Sequence, residues 1–339
     1  MNDEDLLLKN YDYKFDNNLI AKYPVSPKED AKLLLYERDK NKISHLKFKN
    51  LYEILPHCCI VFNDSKVIKA RIFGKKQSGA KVELLFHKAL NEYEFLAQIR
   101  ARVKKDDILS FCDDLKVRIL ELFDDGTRKI EFLKDKKLNH KEVLEFLENH
   151  GHVPLPPYIK RADEKEDATQ YQTVFAKNLG SVAAPTASLH FSKDMLKKLE
   201  KKHKLYYLSL HIGAGTFKNV ECENILEHKM HEEFFFINKD LQKILLSDEK
   251  ILAVGTTVAR TIENFVRTKE ENGLCSLFLH PKNPPTRVDY LLTNFHLPKS
   301  SLIMLVSSFI GRKKTLELYE IAMKENYRFY SYGDAMLIL

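Results

Sequence analysis

The sequence predicts an α/β domain, formed by two separate stretches of chain, with a small antiparallel β-barrel inserted between them. From residue 152 onward, strand-like and helix-like segments alternate, which is typical of an α/β layer. Between residues 76 and 135, short alternating runs follow one another and are separated by polar turns, which is typical of a small antiparallel sheet or barrel. We therefore expect a discontinuous α/β catalytic domain of residues 1–70 and 151–339 and an inserted β-barrel domain of residues 71–150.

The elements of the first stretch and of the insert follow from these patterns in order. "LLLYER" and "CIVFN" predict strands, and "NDSKVIKARIFGKK" predicts a further strand with a turn at Gly74. Five strand-like runs follow in the insert: "AKVELLFHK", "EYEFLAQIR", "DILSFC", "KVRILELF" and "TRKIEFL". "NHKEVLEFLENHG" predicts a helix, because Asn139 can cap it, Glu142 completes a capping box and Gly151 suits its end.

The last stretch alternates more regularly. Strands are predicted at "LYYLSLHI", "KILAV" and "VDYLLTNF", and helices at "SKDMLKKLEKKH", "NKDLQKILLS" and "TVARTIENFVR". Two further helices are predicted near residues 299–309 and 313–325.

Composition excludes several classes of protein. The five cysteines show no CxxC spacing, so neither a disulfide framework nor a zinc ribbon is indicated. The longest apolar run near the end, "SLIMLVSSFIG", is far short of the roughly 20 residues of a membrane-spanning helix, and the N-terminus lacks the layout of a signal peptide. We therefore expect a cytoplasmic protein with no membrane partner. The net charge of +7 allows a nucleic-acid partner without requiring one.

Two proline-containing segments stand out from the Lys/Glu/Leu background. "GHVPLPPYIKR" is stiffened by three prolines, and it is either a rigid linker or a loop that presents Lys160 and Arg161 to an anion or RNA. "AAPTASLHF" surrounds Pro185 with small residues and carries Thr186 and His190. A buried turn is the alternative, but small residues also let the backbone approach a ligand closely.

Two glycine-containing segments follow predicted strands. "LHIGAGTFKNV" resembles turns whose backbone N–H groups bind phosphate or carboxylate, although it lacks the lysine of a P-loop. "AVGTTVART" places Gly255 at the start of a helix, where unpaired N–H groups and the helix dipole favour an anion. Alternatively, Thr256 or Thr257 is simply the N-cap of that helix.

Polar groups also close the last predicted strand and the C-terminal turn. Thr293, Asn294 and His296 end the strand "VDYLLTNF", and ligands gather at the carboxyl ends of strands in α/β sheets. Asp334 lies in a turn within the aromatic segment "YRFYSYGDAM".

The stretch "EHKMHEEFF" suggests a metal site at first sight. A helical zinc protease site requires HExxH, however, and no glutamate directly follows His228. "EEFFFI" is typical of a strand, so His228 and His231 do not share one continuous helix. A catalytic metal, a structural histidine pair and the wall of a pocket for an organic substrate all remain possible, and the pocket is favoured.

Together these segments resemble one family, the S-adenosylmethionine:tRNA ribosyltransferase-isomerases of queuosine biosynthesis. The resemblance runs from "YDYKFDNNLIAKYPVSPKEDAKLLLYER" through "VFNDSKVIKARIFGKK", "YQTVFAKNLGSVAAPTASLHF", "EHKMHEE" and "TNFHLPKSSLIMLVSSFIG" to "YRFYSYGDAMLI". This chain departs from the usual pattern at Ser188, where the family has Gly, and at Lys32 and Asn219, where it has Arg and Pro. "GTTVAR" replaces the more usual "GTTSVR".

The resemblance implies an enzyme with an α/β domain and an inserted β-barrel. Such enzymes transfer and isomerise the ribosyl part of S-adenosylmethionine onto 7-aminomethyl-7-deazaguanine at the tRNA wobble position. The products are epoxyqueuosine in tRNA, adenine and methionine. The resemblance implies no metal and no cofactor beyond S-adenosylmethionine, which is a substrate. We expect a monomer.

The reaction requires a general base for the carbon next to the sulfonium and a group that assists the departing adenine. The candidates for acid/base catalysis are His190, His211, His228, His231, Glu232 and Asp334. The candidates for substrate binding are Pro185, Thr186, Gly213, Gly215, Thr216, Gly255, Thr256, Thr257, Arg260, Thr293, Asn294 and His296. The candidates for binding tRNA phosphates are Arg71, Lys75, Lys76, Arg100, Arg102, Lys104, Lys160 and Arg161.

Two other functions are weighed against this one. An ordinary S-adenosylmethionine-dependent methyltransferase requires a glycine-rich loop after an early strand, and none occurs near residue 60. A non-catalytic RNA-binding protein does not explain why His, Thr and Asp concentrate in loops of small residues.

Overall fold

The computed structural model describes residues 3–213, 215 and 220–339. Within these ranges the chain forms a nine-stranded mixed sheet, a closed six-stranded barrel and a separate pair of short strands. The predicted fold class, an α/β domain with an inserted antiparallel barrel, is confirmed. The domain boundaries at 70/71 and 150/151 stay a prediction.

The first stretch of the α/β domain supplies one end of the large sheet and one of its central strands. Its elements are β1 (Lys32–Glu37), β2 (Lys42–Lys47), α1 (Leu51–Ile54), β3 (Cys59–Asn63) and β4 (Ser65–Val67). The predicted strands "LLLYER" and "CIVFN" correspond to β1 and β3. β3 is buried along its whole length, as its uninterrupted apolar sequence leads one to expect of an inner strand.

The insert is a barrel closed by antiparallel pairs in the order β10-β7-β6-β5-β8-β9. Its elements are β5 (Arg71–Lys76), β6 (Lys81–Ala89), β7 (Phe95–Arg100), β8 (Ile108–Ser110), β9 (Lys116–Leu122), β10 (Thr127–Leu133) and the helix α2 (His140–His150). The capping box of α2 is confirmed: Asn139 Oδ1 accepts from the Glu142 N–H, and the Glu142 carboxylate accepts from the Asn139 N–H.

The second stretch contributes most of the large sheet and the helices on its faces. Its helices are α3 (Asp167–Gln170), α4 (Lys193–Leu199), α5 (Lys239–Leu245), α6 (Thr256–Thr268), α7 (Ser301–Ile310) and α8 (Arg312–Lys324). Its strands are β11 (Asn178–Ser181), β12 (Lys204–Leu210), β13 (Glu233–Ile237), β14 (Ile251–Val254), β15 (Asn272–Cys275), β16 (Tyr290–Asn294) and β17 (Ala335–Ile338). None of the helices in the described part of the chain is long and apolar enough to cross a membrane.

The order of the large sheet, β15-β13-β12-β3-β14-β16-β17-β1-β2, determines which loops meet. The four strands β12, β3, β14 and β16 run parallel, so their carboxyl ends lie at one edge of the sheet. β13 and β17 pair antiparallel with β12 and β16, so these two strands begin at the same edge. The segments that follow or precede these six strand ends are therefore neighbours, although they are far apart in sequence.

The predicted turn at Gly74 is wrong, because this residue lies inside β5. A Cβ atom at Gly74 would lie 2.4 Å from the Ser110 carbonyl oxygen and 2.6 Å from Phe111 Cδ1. The glycine is thus needed for the close approach of β5 to the end of β8 when the barrel closes.

Replacing Gly74 with alanine should destabilise the protein by roughly 1–3 kcal/mol, because the added methyl group overlaps backbone that is fixed by barrel closure. Urea unfolding monitored by circular dichroism measures the change. Lys75→Ala, at the exposed neighbouring position of β5, is the matched control and should leave the midpoint nearly unchanged. Equal midpoints for the two variants would contradict the steric role of Gly74.

Candidate active site

An open cleft of about 770 Å³ lies at the carboxyl edge of the parallel strands. Its walls come from the 183–187 segment, the start of α6 and residues 293–297, which comprise the end of β16 and the segment that follows it. Pro185 and Thr186 therefore line the cleft together with Thr293, Asn294 and His296.

The start of α6 lines this cleft. Gly255 is the N-cap residue, with a φ of +98°, and no side chain caps the helix. Thr256 and Thr257 are the first two helical residues, so the alternative in which one of them is the N-cap is wrong. The positive φ explains why glycine occupies the sharp junction between β14 and α6. The uncapped first turn presents N–H groups and the positive end of the helix dipole.

Asn294 organises the polar wall of the cleft. Its Oδ1 accepts a hydrogen bond of 2.7 Å from Thr186 Oγ1, and its Nδ2 lies 3.4 Å from His190 Nε2. His296 Nε2 lies 2.8 Å from Thr293 Oγ1. These contacts hold the amide and both imidazole rings in fixed orientations.

Both of these histidines are uncharged near neutral pH. Burial lowers the pKa of His190 to about 3, and nearby Arg328 and Lys28 lower it in the same direction. Burial alone lowers the pKa of His296 to about 3. His190 contacts Asn294 but is not among the residues that line the cleft, whereas His296 lines it as a neutral hydrogen-bonding group.

Three tyrosines that are not among the predicted site residues complete the cleft: Tyr158, Tyr171 and Tyr330. The rings of Tyr158 and Tyr330 are 4.7 Å apart, and Tyr158 Oη lies 2.7 Å from Ser331 Oγ. Burial raises the pKa of Tyr171 to about 12, so its hydroxyl stays protonated. Tyr158 lies in "GHVPLPPYIKR", Tyr171 begins "YQTVFAKNLGSVAAPTASLHF" and Tyr330 lies in "YRFYSYGDAM". The segments could thus be recognised from the sequence, but the convergence of their tyrosines could not, because they lie far apart in the chain.

A smaller chamber of about 360 Å³ adjoins the cleft and shares Thr256, Thr257 and Leu302 with it. We call it the Glu233 chamber, because Glu233, His231 and Arg260 form its polar wall. The rest of its lining is mainly apolar. The uncapped start of α6 thus stands between two connected spaces.

Glu233 is a buried carboxylate with several partners. Its Oε1 accepts 2.9 Å from the Gly213 N–H and lies 3.3 Å from His231 Nε2, while its Oε2 pairs with the Arg260 guanidinium. Burial on its own raises the pKa of this carboxyl, but the Arg260 charge and the His231 contact outweigh it and hold the pKa below its usual value. Glu233 is therefore ionised at neutral pH.

The two histidines of "EHKMHEEFF" occupy different surroundings. The His228 ring packs edge-on against Phe278, 5.5 Å away, and burial followed by the proximity of His231 lowers its pKa. Among the residues that the structure describes, no group of three His, Cys, Asp or Glu side chains is placed to hold a metal ion. The carboxylate beside His231 is Glu233, whereas Glu232 faces the solvent.

The remaining candidates near the sheet edge are placed as follows. His211 stacks on Phe234 with ring centres 5.9 Å apart, and burial lowers its pKa. A Cβ atom at Gly215 would lie 2.9 Å from His231 Cγ, so the two residues are packed together. Thr216 lies outside the described residues.

Asp334 and Ser188 are enclosed by protein. The Asp334 carboxylate accepts hydrogen bonds of 2.9 Å and 2.7 Å from the N–H groups of Lys32 and Arg328 and pairs with the Arg328 side chain. These contacts tie β17 to β1 and leave the carboxylate committed to the fold. Ser188 is fully buried, and its hydroxyl has no hydrogen-bond partner among the described residues.

The basic candidates for tRNA binding fall into two groups. Arg71, Lys76, Arg100 and Arg161 form ion pairs with carboxylates, and Arg161 is held by Asp167 at 2.6 Å. The other four are exposed: Lys75, Arg102, Lys104 and Lys160.

The pKa of His296 is about 3 in the folded protein, whereas that of an unfolded histidine is about 6.5. Between about pH 3 and pH 6.5, therefore, the imidazole is protonated in the unfolded state but not in the folded state. The stabilising effect is complete above pH ~6.5 and is lost as the pH falls toward the native pKa. His296→Asn should therefore reduce the slope of unfolding free energy against pH by up to about 1.4 kcal/mol per pH unit. Urea unfolding between pH 4 and 7 measures the slope. His140→Asn, at an exposed position, is the control and should keep the wild-type slope. A wild-type slope in His296→Asn would contradict burial of a neutral His296 ring.

Comparison with known proteins agrees with this architecture over the whole chain. The profile of the family described as "Queuosine biosynthesis protein" matches residues 8–338. The protein of Campylobacter jejuni (strain RM1221) named S-adenosylmethionine:tRNA ribosyltransferase-isomerase is 63% identical over 340 residues, which is 99% of each chain. The protein of the same name from Aliarcobacter butzleri (strain RM4018) is 55% identical over 338 residues, again 99% of each chain.

A solved structure shows the same relationship. The crystal structure of S-adenosylmethionine tRNA ribosyltransferase from Thermotoga maritima matches with a TM-score of 0.54 and 31% sequence identity. The match covers 97% of this chain and 100% of that chain. The chain therefore belongs to the family of queuosine biosynthesis proteins.

Proposed function

We propose that this protein transfers and isomerises the ribosyl group of S-adenosylmethionine onto 7-aminomethyl-7-deazaguanine at the tRNA wobble position. The products are epoxyqueuosine-tRNA, adenine and methionine. The observation that carries the proposal is the extended two-part site: a large polar and aromatic cleft joined to a charged chamber at the start of α6. Such a site suits a donor with a nucleoside at one end and an amino acid at the other. Relatives named for this activity match almost the whole chain.

The general base is the first role to assign. The base removes the proton that the sulfonium acidifies on the neighbouring ribose carbon, so it must be able to accept a proton near neutral pH. His190 and His296, with pKa values of about 3, are poor acceptors. His231 is the better choice, because a protonated imidazole there would face the ionised Glu233 at 3.3 Å.

Departure of adenine is the second role. The leaving purine needs hydrogen-bond donors at its ring nitrogens, and the cleft provides donors that do not change charge. Tyr171 keeps its hydroxyl proton, and the Asn294 amide is held by Thr186. We assign the wall formed by Asn294, His296 and the tyrosines to adenine or to the acceptor base.

We further propose that tRNA phosphates contact the exposed basic residues Lys75, Arg102, Lys104 and Lys160. None of these four takes part in the ion pairs described above. Phosphate contacts release counterions, so tRNA binding should weaken as salt rises. We propose a cytoplasmic location, because the proposed substrate is tRNA. A monomer is proposed because residues of one chain line both the cleft and the Glu233 chamber.

The protein should release adenine and methionine when it is mixed with S-adenosylmethionine and tRNA that carries 7-aminomethyl-7-deazaguanine. Chromatography of the small molecules measures the products, and the same tRNA with unmodified guanine is the control. Release of S-adenosylhomocysteine would indicate a methyltransferase instead. Binding of tRNA without any small-molecule product would indicate an RNA-binding protein.

His231→Ala should lower the rate of adenine release by roughly 10²- to 10⁴-fold, the usual contribution of a positioned general base. The melting temperature should change little, because the His231 side chain is partly exposed. His228→Phe is the matched comparison, since it keeps an aromatic ring against Phe278. A larger loss of rate in the His228 variant would move the base to that residue. Parallel losses of rate and melting temperature in both variants would support a structural histidine pair.

A further inference from the structure

We propose that the Glu233 chamber binds the amino-acid end of S-adenosylmethionine, and that Arg260 together with the first turn of α6 binds its carboxylate. The inference rests on the proposed function, because it assigns one end of that substrate. It also predicts that the chamber recognises a free α-amino acid with a long apolar side chain, which is the chemistry of the product methionine.

Arg260 is the first observation. Its side chain is 7% exposed, and one guanidinium nitrogen pairs with Glu233. Its Nε–H is buried and has no hydrogen-bond partner among the described residues, while the buried Cys275 thiol lies beside the guanidinium. An unpaired buried donor on a charged group is unfavourable, so such groups in native proteins call for an explanation. The Arg260 side chain also lines the Glu233 chamber, so a ligand carboxylate in the chamber can pair with this guanidinium.

The start of α6 is the second, independent observation. Arg260 lies four residues after Thr256 and three after Thr257, so the three residues share one face of the helix. All three line the chamber. The helix has 13 residues and no side-chain cap, so its first N–H groups are open to an anion on the same face as the guanidinium.

The rest of the chamber suits the other parts of the amino acid. Its apolar lining consists of Met230, Leu277, Phe278, Leu279, Leu302 and Leu305, which fits an unbranched thioether chain. Glu233 has three described partners, Gly213 N–H, His231 and Arg260, and an ionised carboxylate has about four lone-pair sites. One site is thus left for the α-ammonium group.

This placement orients the whole donor. With the amino acid in the Glu233 chamber, the sulfonium lies near the residues shared with the cleft, Thr256 and Thr257, and the nucleoside extends into the cleft. The acidified carbon next to the sulfonium belongs to the ribose, so it lies at the boundary between the two spaces, on the cleft side of the sulfonium. His231 stands in the wall of the adjoining chamber.

The test is a thermodynamic cycle of two ligands and two proteins. One ligand lacks the amino acid, and one protein variant lacks the guanidinium. S-adenosylhomocysteine keeps the amino acid, whereas 5′-deoxy-5′-methylthioadenosine lacks it. Wild-type protein should bind S-adenosylhomocysteine roughly ten- to hundred-fold more tightly, as one or two hydrogen bonds to a charged group predict. Isothermal titration calorimetry measures both dissociation constants. In Arg260→Met this preference should shrink to less than about three-fold.

Removal of Arg260 alone leaves the buried Glu233 unpaired and threatens folding. The double variant Arg260→Met/Glu233→Gln removes both charges and keeps a neutral polar group beside Gly213, so the cycle is also run in this background. Arg267→Met, in the exposed last turn of the same helix, is the matched control and should keep the wild-type preference.

A second comparison isolates the carboxylate. L-Methionine should raise the melting temperature of wild-type protein, whereas L-methioninol, which lacks the carboxylate, should not. Equal affinity of wild-type protein for the two adenosyl ligands, or full preference in both Arg260 variants, would overturn this inference while adenine release stands. Failure of wild-type protein to bind either adenosyl ligand would instead overturn the proposed function as well.

Discussion

The parallel alignment of β12, β3, β14 and β16 is the constraint on which the candidate site depends. Cys59, the first residue of β3, pairs with Lys204 on one side and Ile251 on the other, so three neighbouring strands start level. β14 and β16 also stay in register up to Val254 and Leu292. Parallel strands that start level and have similar lengths deliver their following loops to one edge of the sheet, which is where ligands bind in open α/β sheets. Without this register, the start of α6 would not face the segment that contains Asn294.

The buried pair of Glu233 and Arg260 connects this edge to the helix layer. Glu233 is the first residue of β13, and Arg260 lies in the second turn of α6. A buried ion pair contributes little net stability, because desolvation of both charges offsets their attraction, while loss of one partner costs about 3–5 kcal/mol. Well-packed apolar residues would hold the strand and helix together equally well. The presence of charges at this position is therefore better explained by what the chamber binds than by what the fold requires.

Much of the fold could be predicted from the sequence, because its main signals are local. The alternation of strands and helices and the capping box of α2 depend on residues close together in the chain. The alternating pattern of "EFFFI" could also have predicted that Glu233 is buried, because it lies on the same face of the strand as the buried residues Phe235 and Ile237. That pattern distinguishes Glu233 from its exposed neighbour Glu232. The contact of Glu233 with Arg260, the tyrosine wall and the need for Gly74 depend on long-range packing, which no local pattern encodes.

The distribution of charge divides the site into two chemical environments. Around the cleft, burial keeps His190 and His296 neutral and keeps Tyr171 protonated. In the Glu233 chamber, the Arg260 guanidinium helps to hold the pKa of the Glu233 carboxyl below its usual value, so this carboxylate is ionised. An adenine ring is recognised by neutral donors, acceptors and aromatic faces, whereas a zwitterionic amino acid requires fixed charges of both signs. Because a buried charge must be paired, concentrating the charges in the small chamber leaves the cleft free to bind uncharged groups. His231 is partly exposed beside Glu233, so it remains the histidine best placed to exchange a proton during the reaction.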